Sequence, residues 1–579
     1  MTTFEDTQAS APRPARRYIG RPSALALWTS LVALLVAIPV VVVFGHVFVP
    51  VGEVWGHLVE TVLFRYLANT AWLVLAVGVG TFVVGTGTAW LVTMCRFPGR
   101  GVLEWALLLP LAVPAYAIAY TYAGLFDFAG PVQSALRGWF GWSRGDYWFP
   151  PVRTVGGAGL VLTVVLYPYV YLLARAAFLE QSVCVLEIGR TLGRGPWRIF
   201  TDIALPLARP AIATGVALAL METLSDFGTV QHFGVDTFTT GIYRTWFGLG
   251  DSSAAAQLAA VLLGIVFMVF LLERASRGRR RYHHTSRRYR DLPRFQLRGL
   301  KALLAVVACG LPLALGFLLP GGQMIAWVVE QAGTQDATAF DSHFWIQAGN
   351  TLILGAGSAV LAVALALFLS YAVRLHRGRT TRFTVRLASM GYAVPGSVIA
   401  VGVLLPFGWL DHWVNGWTRD LFGISPGLIF SGTLFALFFA YLVRFLAVSL
   451  NSVEASLGKV TSSMDGAARS LGLTPLRTVF RVHVPIISPS LLTAALLVLV
   501  DVMKELPATL ILRPFDFNTL AVRAFELASD EQLQAAAAPA LAIVVVGLAP
   551  VIVLSRAITR SRPGESPGEA GVATRGAYE

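Results

Sequence analysis

The chain has 579 residues, of which 56% are hydrophobic and 13% charged, with a mean hydropathy of +0.66 and a formal net charge of +13. Soluble domains carry about a quarter charged residues, so a water-soluble globular protein is excluded. The basic surplus is concentrated in "ERASRGRRRYHHTSRRYRDLPRFQLRGLK", Glu273 to Lys301, between two apolar segments; such loops face anionic headgroups, and we expect no nucleic-acid partner.

Residues 1–22 form a polar segment with Arg13, Arg16, Arg17 and Arg21. The apolar run that follows from Ala24 is too long for a signal-peptide core and lacks a clear small-residue cleavage site, so it reads as an uncleaved first span. About 20 apolar residues cross the hydrocarbon layer. On that measure the first repeat, 23–274, holds spans near 25–48, 69–94, 102–126, 155–178, 207–226 and 254–273. A basic linker, 275–301, follows. The second repeat, 302–558, holds spans near 302–320, 350–374, 386–410, 427–449, 486–503 and 536–556, and 559–579 is a Gly/Ser/Pro/Glu-rich tail expected to be disordered. The fold class expected is an all-α integral membrane protein of about twelve transmembrane helices.

Orientation follows from the basic loops. "CRFPGRG" (Cys95–Gly101) and "RLHRGRTTR" (Arg374–Arg382) are rich in Arg, whereas Gly321–Asn350 has no Lys or Arg. Positive residues mark the cytoplasmic side. Both termini, the linker and the loops after spans four and ten are therefore expected on the cytoplasmic side of a bacterial inner membrane. Cys95, Cys184 and Cys309 are isolated in the sequence and offer no metal-type spacing.

The chain repeats itself. "NTAWLVLAVGVG" at Asn69 answers "NTLILGAGSAVL" at Asn350, and "AVPAYAIA" at Ala112 answers "AVPGSVIA" at Ala393, both at an offset of 281. Six spans per unit give the two halves the same topology, hence parallel repeats related by an axis along the membrane normal. The strongest repetition is cytoplasmic. In "RTLGRGPWRIFTDIALPLARP" and "RSLGLTPLRTVFRVHVPIISP", seven matched residues from Arg190 and Arg469 onward recur 279 apart. Gly193 and Gly472 suit the end of a short helix, where positive φ is cheap. Pro196 and Pro475 suit the first turn of a second, Thr474 suits an N-cap, and Pro206 and Pro485 suit the start of the next span. The product is a compact elbow with Arg190, Arg198, Arg469 and Arg477 exposed. Taken alone, a basic elbow is also what a surface helix pair held by lipid phosphates would need; its twofold recurrence points to two identical partners.

These elbows resemble the EAA loops of ABC importer permeases, and the whole chain after residue 20 resembles fused two-repeat iron(III) transport permeases. The stretches that carry the second likeness are "YPYVYLLARAAFLEQS" (Tyr167–Ser182), "LSDFGTVQHFGVDTFTTGIYRTWFG" (Leu224–Gly248) and "KELPATLILRPFDFNTLAVRAFE" (Lys504–Glu526). The resemblance implies a type I importer fold and elbows that dock into two copies of an ABC ATP-binding subunit. It maps Glu187, Gly189, Arg190, Gly193 and Pro206 onto the first coupling loop. It maps Asp465, Gly466, Ala467, Ala468, Arg469, Gly472 and Pro485 onto the second. The first copy lacks the alanines and the second has Gly466 at the glutamate position, which implies unequal docking. The resemblance also implies an extracytoplasmic substrate-binding protein, ferric iron as cargo, and thiamine, polyamine, sulfate or phosphonate as the alternatives.

No P-loop and no metalloprotease or serine-hydrolase motif is found, so no catalytic residues, no resident metal and no cofactor are expected on this chain. Charges in or beside spans are costly and often functional. Glu222 and Asp226 at span five, with Asp501, Lys504 and Glu505 at span eleven, are candidates for a translocation path; an internal Lys504–carboxylate pair would explain the second group equally well. Acidic residues at an outer mouth suit a hard cation such as iron(III), but they suit any cation. A twelve-span secondary transporter has the same parallel halves, yet its charged signature between spans two and three is replaced here by "CRFPGRG".

Overall fold

A computed structural model describes residues 24–50, 52–179, 181, 195–276, 294–333, 340–375 and 378–560. In hydrocarbon every backbone polar group must be satisfied within its own segment, so long apolar runs become helices. Among the described residues eleven helices are long and apolar enough to cross a membrane, and a bent pair makes a twelfth. In chain order the spans are Ala24–Gly45 (span 1), Leu63–Met94 (span 2), the bent pair Arg100–Ala112 with Ala115–Phe140 (span 3) and Val155–Leu179 (span 4). Then come Trp197–Ser225 (span 5), Ser252–Ser276 (span 6), Leu300–Ala332 (span 7), Ser342–Leu375 (span 8) and Gly396–Phe422 (span 9). Leu434–Leu457 (span 10), Pro475–Met503 (span 11) and Leu533–Val553 (span 12) complete the set.

Several expectations are corrected. Span 3 is not one straight helix: it bends by 92° at Val113–Pro114. Proline fixes φ and holds the residue before it in the extended region. The matching Val394–Pro395 halts the amphipathic helix Arg379–Ala388 and its 3-10 extension Ser389–Ala393, so span 9 starts at Gly396 rather than near 386. Span 7 continues to Ala332, so the first part of the arginine-free stretch is helix rather than loop. Span 10 starts at Leu434, later than expected.

Pro206 and Pro485 do not open separate helices. Each lies inside one continuous helix, two residues after a π-helical turn, Phe200–Ala204 in span 5 and Val479–His483 in span 11. A helical proline lacks the N–H and crowds the carbonyl four residues back; the wider π turn relieves both. A third π turn, Ala314–Leu318, precedes Pro320 in the same way.

The halves are interlocked. Span 1 packs on span 9 and on Arg379–Ala388 of the second half, while span 7 packs on spans 2 and 4 of the first. Glycine permits the closest of these approaches: a Cβ at Gly402 would stand 2.4 Å from the Pro39 carbonyl oxygen, and one at Gly316 would stand 2.5 Å from that of Val164. Small residues are the general means of bringing membrane helices together. The repeated Asn69 and Asn350 have the same task, since each donates to a backbone carbonyl in its own half, Asp236 at 2.8 Å and Asn518 at 3.0 Å. Among the described residues the only strands are Cys95–Arg96 and Phe295–Gln296, a two-residue parallel ladder that ties the loop after span 2 to the end of the linker.

Candidate functional site

The five charged residues singled out at spans 5 and 11 meet in one place. Glu222, Asp226, Asp501, Lys504 and Glu505 all line an internal cavity of about 110 Å³ between the halves. The repeat explains why: Glu222 and Asp501 are 279 apart, as are Asp226 and Glu505. The inner pair repeats in geometry too. Asp226 ends span 5 and accepts from the Thr229 hydroxyl at 2.9 Å and the Val230 N–H at 3.1 Å. Glu505 ends span 11 and accepts from the Ala508 and Thr509 N–H groups, each at 3.1 Å, and from the Thr509 hydroxyl at 2.9 Å. Both carboxylates thus accept from N–H groups in the first turn of the short helix that follows, Gly228–His232 or Pro507–Leu512, whose first residue lines the cavity. Acceptors at a helix start satisfy its free N–H groups.

The basic partners come from the second half alone. Arg444, in span 10, donates to Glu505 at 3.0 Å and lies 4.0 Å from Glu222, bridging the two repeats. Lys504 pairs with Asp501 at 2.9 Å, and its counterpart in the first half is Ser225. Four carboxylates therefore face two basic side chains, an acidic excess. Tyr116, Tyr169 and Tyr392 complete the wall. The buried Tyr116 hydroxyl has no hydrogen-bond partner among the described residues. No group of three His, Cys, Asp or Glu among the described residues is arranged to hold a metal ion. Arg444 escaped notice in the sequence although the signal was there, a charge inside a predicted span. The tyrosines gave no such signal.

Of the first coupling loop, Glu187, Gly189, Arg190 and Gly193 lie outside the described residues, and Pro206 lies within span 5. The second loop is described throughout. Ser462–Ser470 is a short helix ended by Gly472 at φ +76°. The Leu473 N–H returns to the Ala468 carbonyl at 3.0 Å, a helix stop that needs the left-handed conformation. Thr474 caps the next turn through the Arg477 N–H, and Pro475 is in its first turn, as expected. Gly466, Ala467 and Arg469 are exposed and Ala468 is buried.

Asp465 is not a free docking group. It accepts from Arg374 Nε and Nη2 at 3.0 and 2.8 Å and meets His483 Nε2 at 2.7 Å. Burial opposes its ionisation, but these hydrogen bonds outweigh burial and hold its carboxyl below the ordinary value. Arg374 also donates to the Leu457 and Val460 carbonyls at 2.9 and 2.8 Å. One arginine at the end of span 8 thus fixes the elbow to spans 8 and 10, and His483 adds span 11. Its place in the basic loop had suggested only an orientation role. Beyond this clamp the elbow presents bulky apolar side chains: Leu476 is 68% exposed, and Trp197, its equivalent 279 residues earlier, is 73% exposed.

Two sequence repeats, twelve spans and a charged cavity lined by residues of both halves define an integral membrane permease. The chain belongs to the family of binding-protein-dependent transport system inner membrane components, whose model matches residues 82–281. It is 28% identical over 543 residues to an Fe(3+)-transport system permease protein of Haemophilus influenzae, covering 91% of this chain and 98% of that one. Identity to a ferric transport system permease protein of Actinobacillus pleuropneumoniae is 23% over 547 residues, 90% of this chain and 76% of the relative. A molybdenum transport system permease protein of Escherichia coli is 31% identical over 190 residues, 32% of this chain and 80% of its own length.

Proposed function

We propose that this chain supplies both repeats of the membrane pathway of an ATP-driven ABC importer for ferric iron. The cavity between the halves is the observation that carries this reading: carboxylates in acidic excess, with a tyrosine hydroxyl beside them, suit a hard cation. Similarity over nine-tenths of this chain to two permeases named for ferric transport supports the same cargo. The molybdenum and sulfate permeases resemble only part of the chain, and an oxyanion would meet repulsion here. Without a chelating set, the cavity is suited to passing an ion rather than storing it.

ATP is hydrolysed on a separate subunit, two copies of which dock at the elbows. Exposed Trp197 and Leu476 beside the repeated Arg198 and Arg477 offer each copy an apolar anchor with a basic rim. An extracytoplasmic binding protein delivers iron on the opposite side. This arrangement places both termini, the elbows and the linker in the cytoplasm and divides the chain into the two repeats joined by 275–301. The chain itself needs no cofactor.

The test is radiolabelled ferric uptake in cells lacking and regaining this permease, with Glu222→Gln and Asp501→Asn variants alongside. Restored iron uptake that each variant lowers at least several-fold supports the proposal. Unchanged iron uptake with altered molybdate or thiamine uptake would overturn the cargo. Transport that follows a proton gradient and ignores ATP would overturn the importer class.

A further inference from the structure

We infer that Tyr116, Tyr120 and His232 form the outer segment of the cation path, a file of polar atoms that passes the cargo from the extracytoplasmic surface to Asp226 and Glu505. The inference rests on the importer reading above and on iron as its cargo.

The file begins at the central cavity, whose wall includes Tyr116. Tyr116 and Tyr120 stand one turn apart in the helix Ala115–Phe126 and so share a face, with ring centroids 5.7 Å apart. His232 follows, its ring edge-on to Tyr120 with centroids 4.6 Å apart. Its helix, Gly228–His232, packs on Ala115–Phe126, and Gly228 permits the approach: a Cβ there would stand 2.6 Å from that of Tyr116. Asp226 accepts from Thr229 and Val230 of the same short helix, so one element holds both the cavity carboxylate and the file. His232 is part-exposed, and Gln231 and Gly234 beside it are exposed. The file therefore reaches the surface between spans 5 and 6, the extracytoplasmic side in the orientation proposed above.

Packing alone does not account for these groups. Tyr116 and Tyr120 are 5% and 3% exposed, yet their hydroxyls, like the buried His232 Nε2, have no hydrogen-bond partner among the described residues. Leaving a buried polar group unpaired is costly, and native structures rarely do so. Other buried tyrosines of this half are paired: Tyr122 donates to the Leu315 carbonyl, Tyr167 to that of Leu107 at 2.9 Å and Tyr171 to that of Glu104 at 2.6 Å. Nor does the fold demand them. The equivalent residues of the second half, 281, 281 and 279 positions later, are Ser397, Val401 and Ile511, the last two apolar. A passing cation would supply the missing partner, since phenol oxygens suit a hard ion. Burial, with Arg153 nearby, lowers the His232 pKa to about 4, so its ring is neutral and does not repel a cation. Arg153 is itself paired with Asp127 at 2.8 Å.

The experiment measures radiolabelled ferric uptake per folded permease, together with melting temperature in detergent, for the full-length chain and four variants. Tyr116→Phe, Tyr120→Phe and His232→Leu should each lower uptake about tenfold, the size of one hydrogen bond to a charged group. The two Phe variants should melt no lower than the native chain, because the hydroxyl removed has no partner. Tyr122→Phe, on the same helix, should show the opposite pattern, a lower melting temperature with uptake retained. Native uptake that the three variants leave unchanged would overturn the file alone. Uptake lost only alongside a lowered melting temperature in Tyr116→Phe and Tyr120→Phe would overturn it too, by making the hydroxyls structural. No iron uptake by the native chain would overturn the cargo reading, and the file with it.

Discussion

The two halves share a backbone plan and differ in how they balance charge. In the first, Glu222 and Asp226 face the central cavity with no basic residue from their own half, and Ser225 stands where the second half has Lys504. In the second, Asp501 and Glu505 are paired with Lys504 and Arg444. The elbows differ likewise. The second is clamped by Arg374 and His483, whereas Thr93 and Ala204 occupy the corresponding positions of the first, 281 and 279 residues earlier. Duplication kept the residues that set helix breaks and caps. Divergence made the second half supply the cations that hold the halves together and the rigid elbow.

The largest effect should come from the bridge between halves. Arg444→Met leaves Glu505, whose side chain is 2% exposed, without its cation. Removing one partner of a buried pair costs about 3–5 kcal/mol, read as a lower melting temperature in detergent. Glu222→Gln should cost under about 1 kcal/mol, because its contact with Arg444 is 4.0 Å long and it is part-exposed. Equal losses would break the claim that the second half holds the balance.

Next is the elbow clamp. Arg374→Ala removes hydrogen bonds to Asp465 and two carbonyls and should cost about 2 kcal/mol, with weaker retention of the ATPase on affinity resin. Thr93→Ala, at the matching place in the first half, should be near neutral, since its buried hydroxyl has no partner among the described residues. Gly472→Ala forces a Cβ into a left-handed φ of +76° and should cost about 1 kcal/mol of elbow stability by the same melt. Thr474→Ala loses one N-cap bond and should cost slightly less, about 0.5–1 kcal/mol.

The smallest effect is a pH dependence specific to the second elbow. The Asp465 carboxyl is held below its ordinary value, so its contribution is present above the unfolded value of about 4 and is lost as pH falls through the lower folded value. The melting difference between the native chain and Asp465→Asn should shrink as pH falls below about 4, and a difference that grows below that pH would contradict the hydrogen-bond assignment.

Much of this molecule was determined by local chemistry and is legible in one dimension. Apolar runs of span length must be helices, because the hydrocarbon offers no other partner for backbone groups. The Gly472 stop, the Thr474 cap and the Val-Pro breaks follow from φ restrictions that act within a few residues. The repeat offset also made the charges at spans 5 and 11 equivalent before their positions were known. Tertiary structure decided the rest. Only packing tells that span 1 lies on the second half, that Arg444 reaches two carboxylates on different repeats, and that Asp465 is consumed by Arg374 instead of facing a partner. Those contacts join residues far apart in sequence, and charge carries no direction until the backbone fixes which way each side chain points. The π turns belong to both: proline demands relief, but a helix that stops and a helix that bulges meet the same local rule. Continuous packing of spans 5 and 11 through the bilayer selected the bulge.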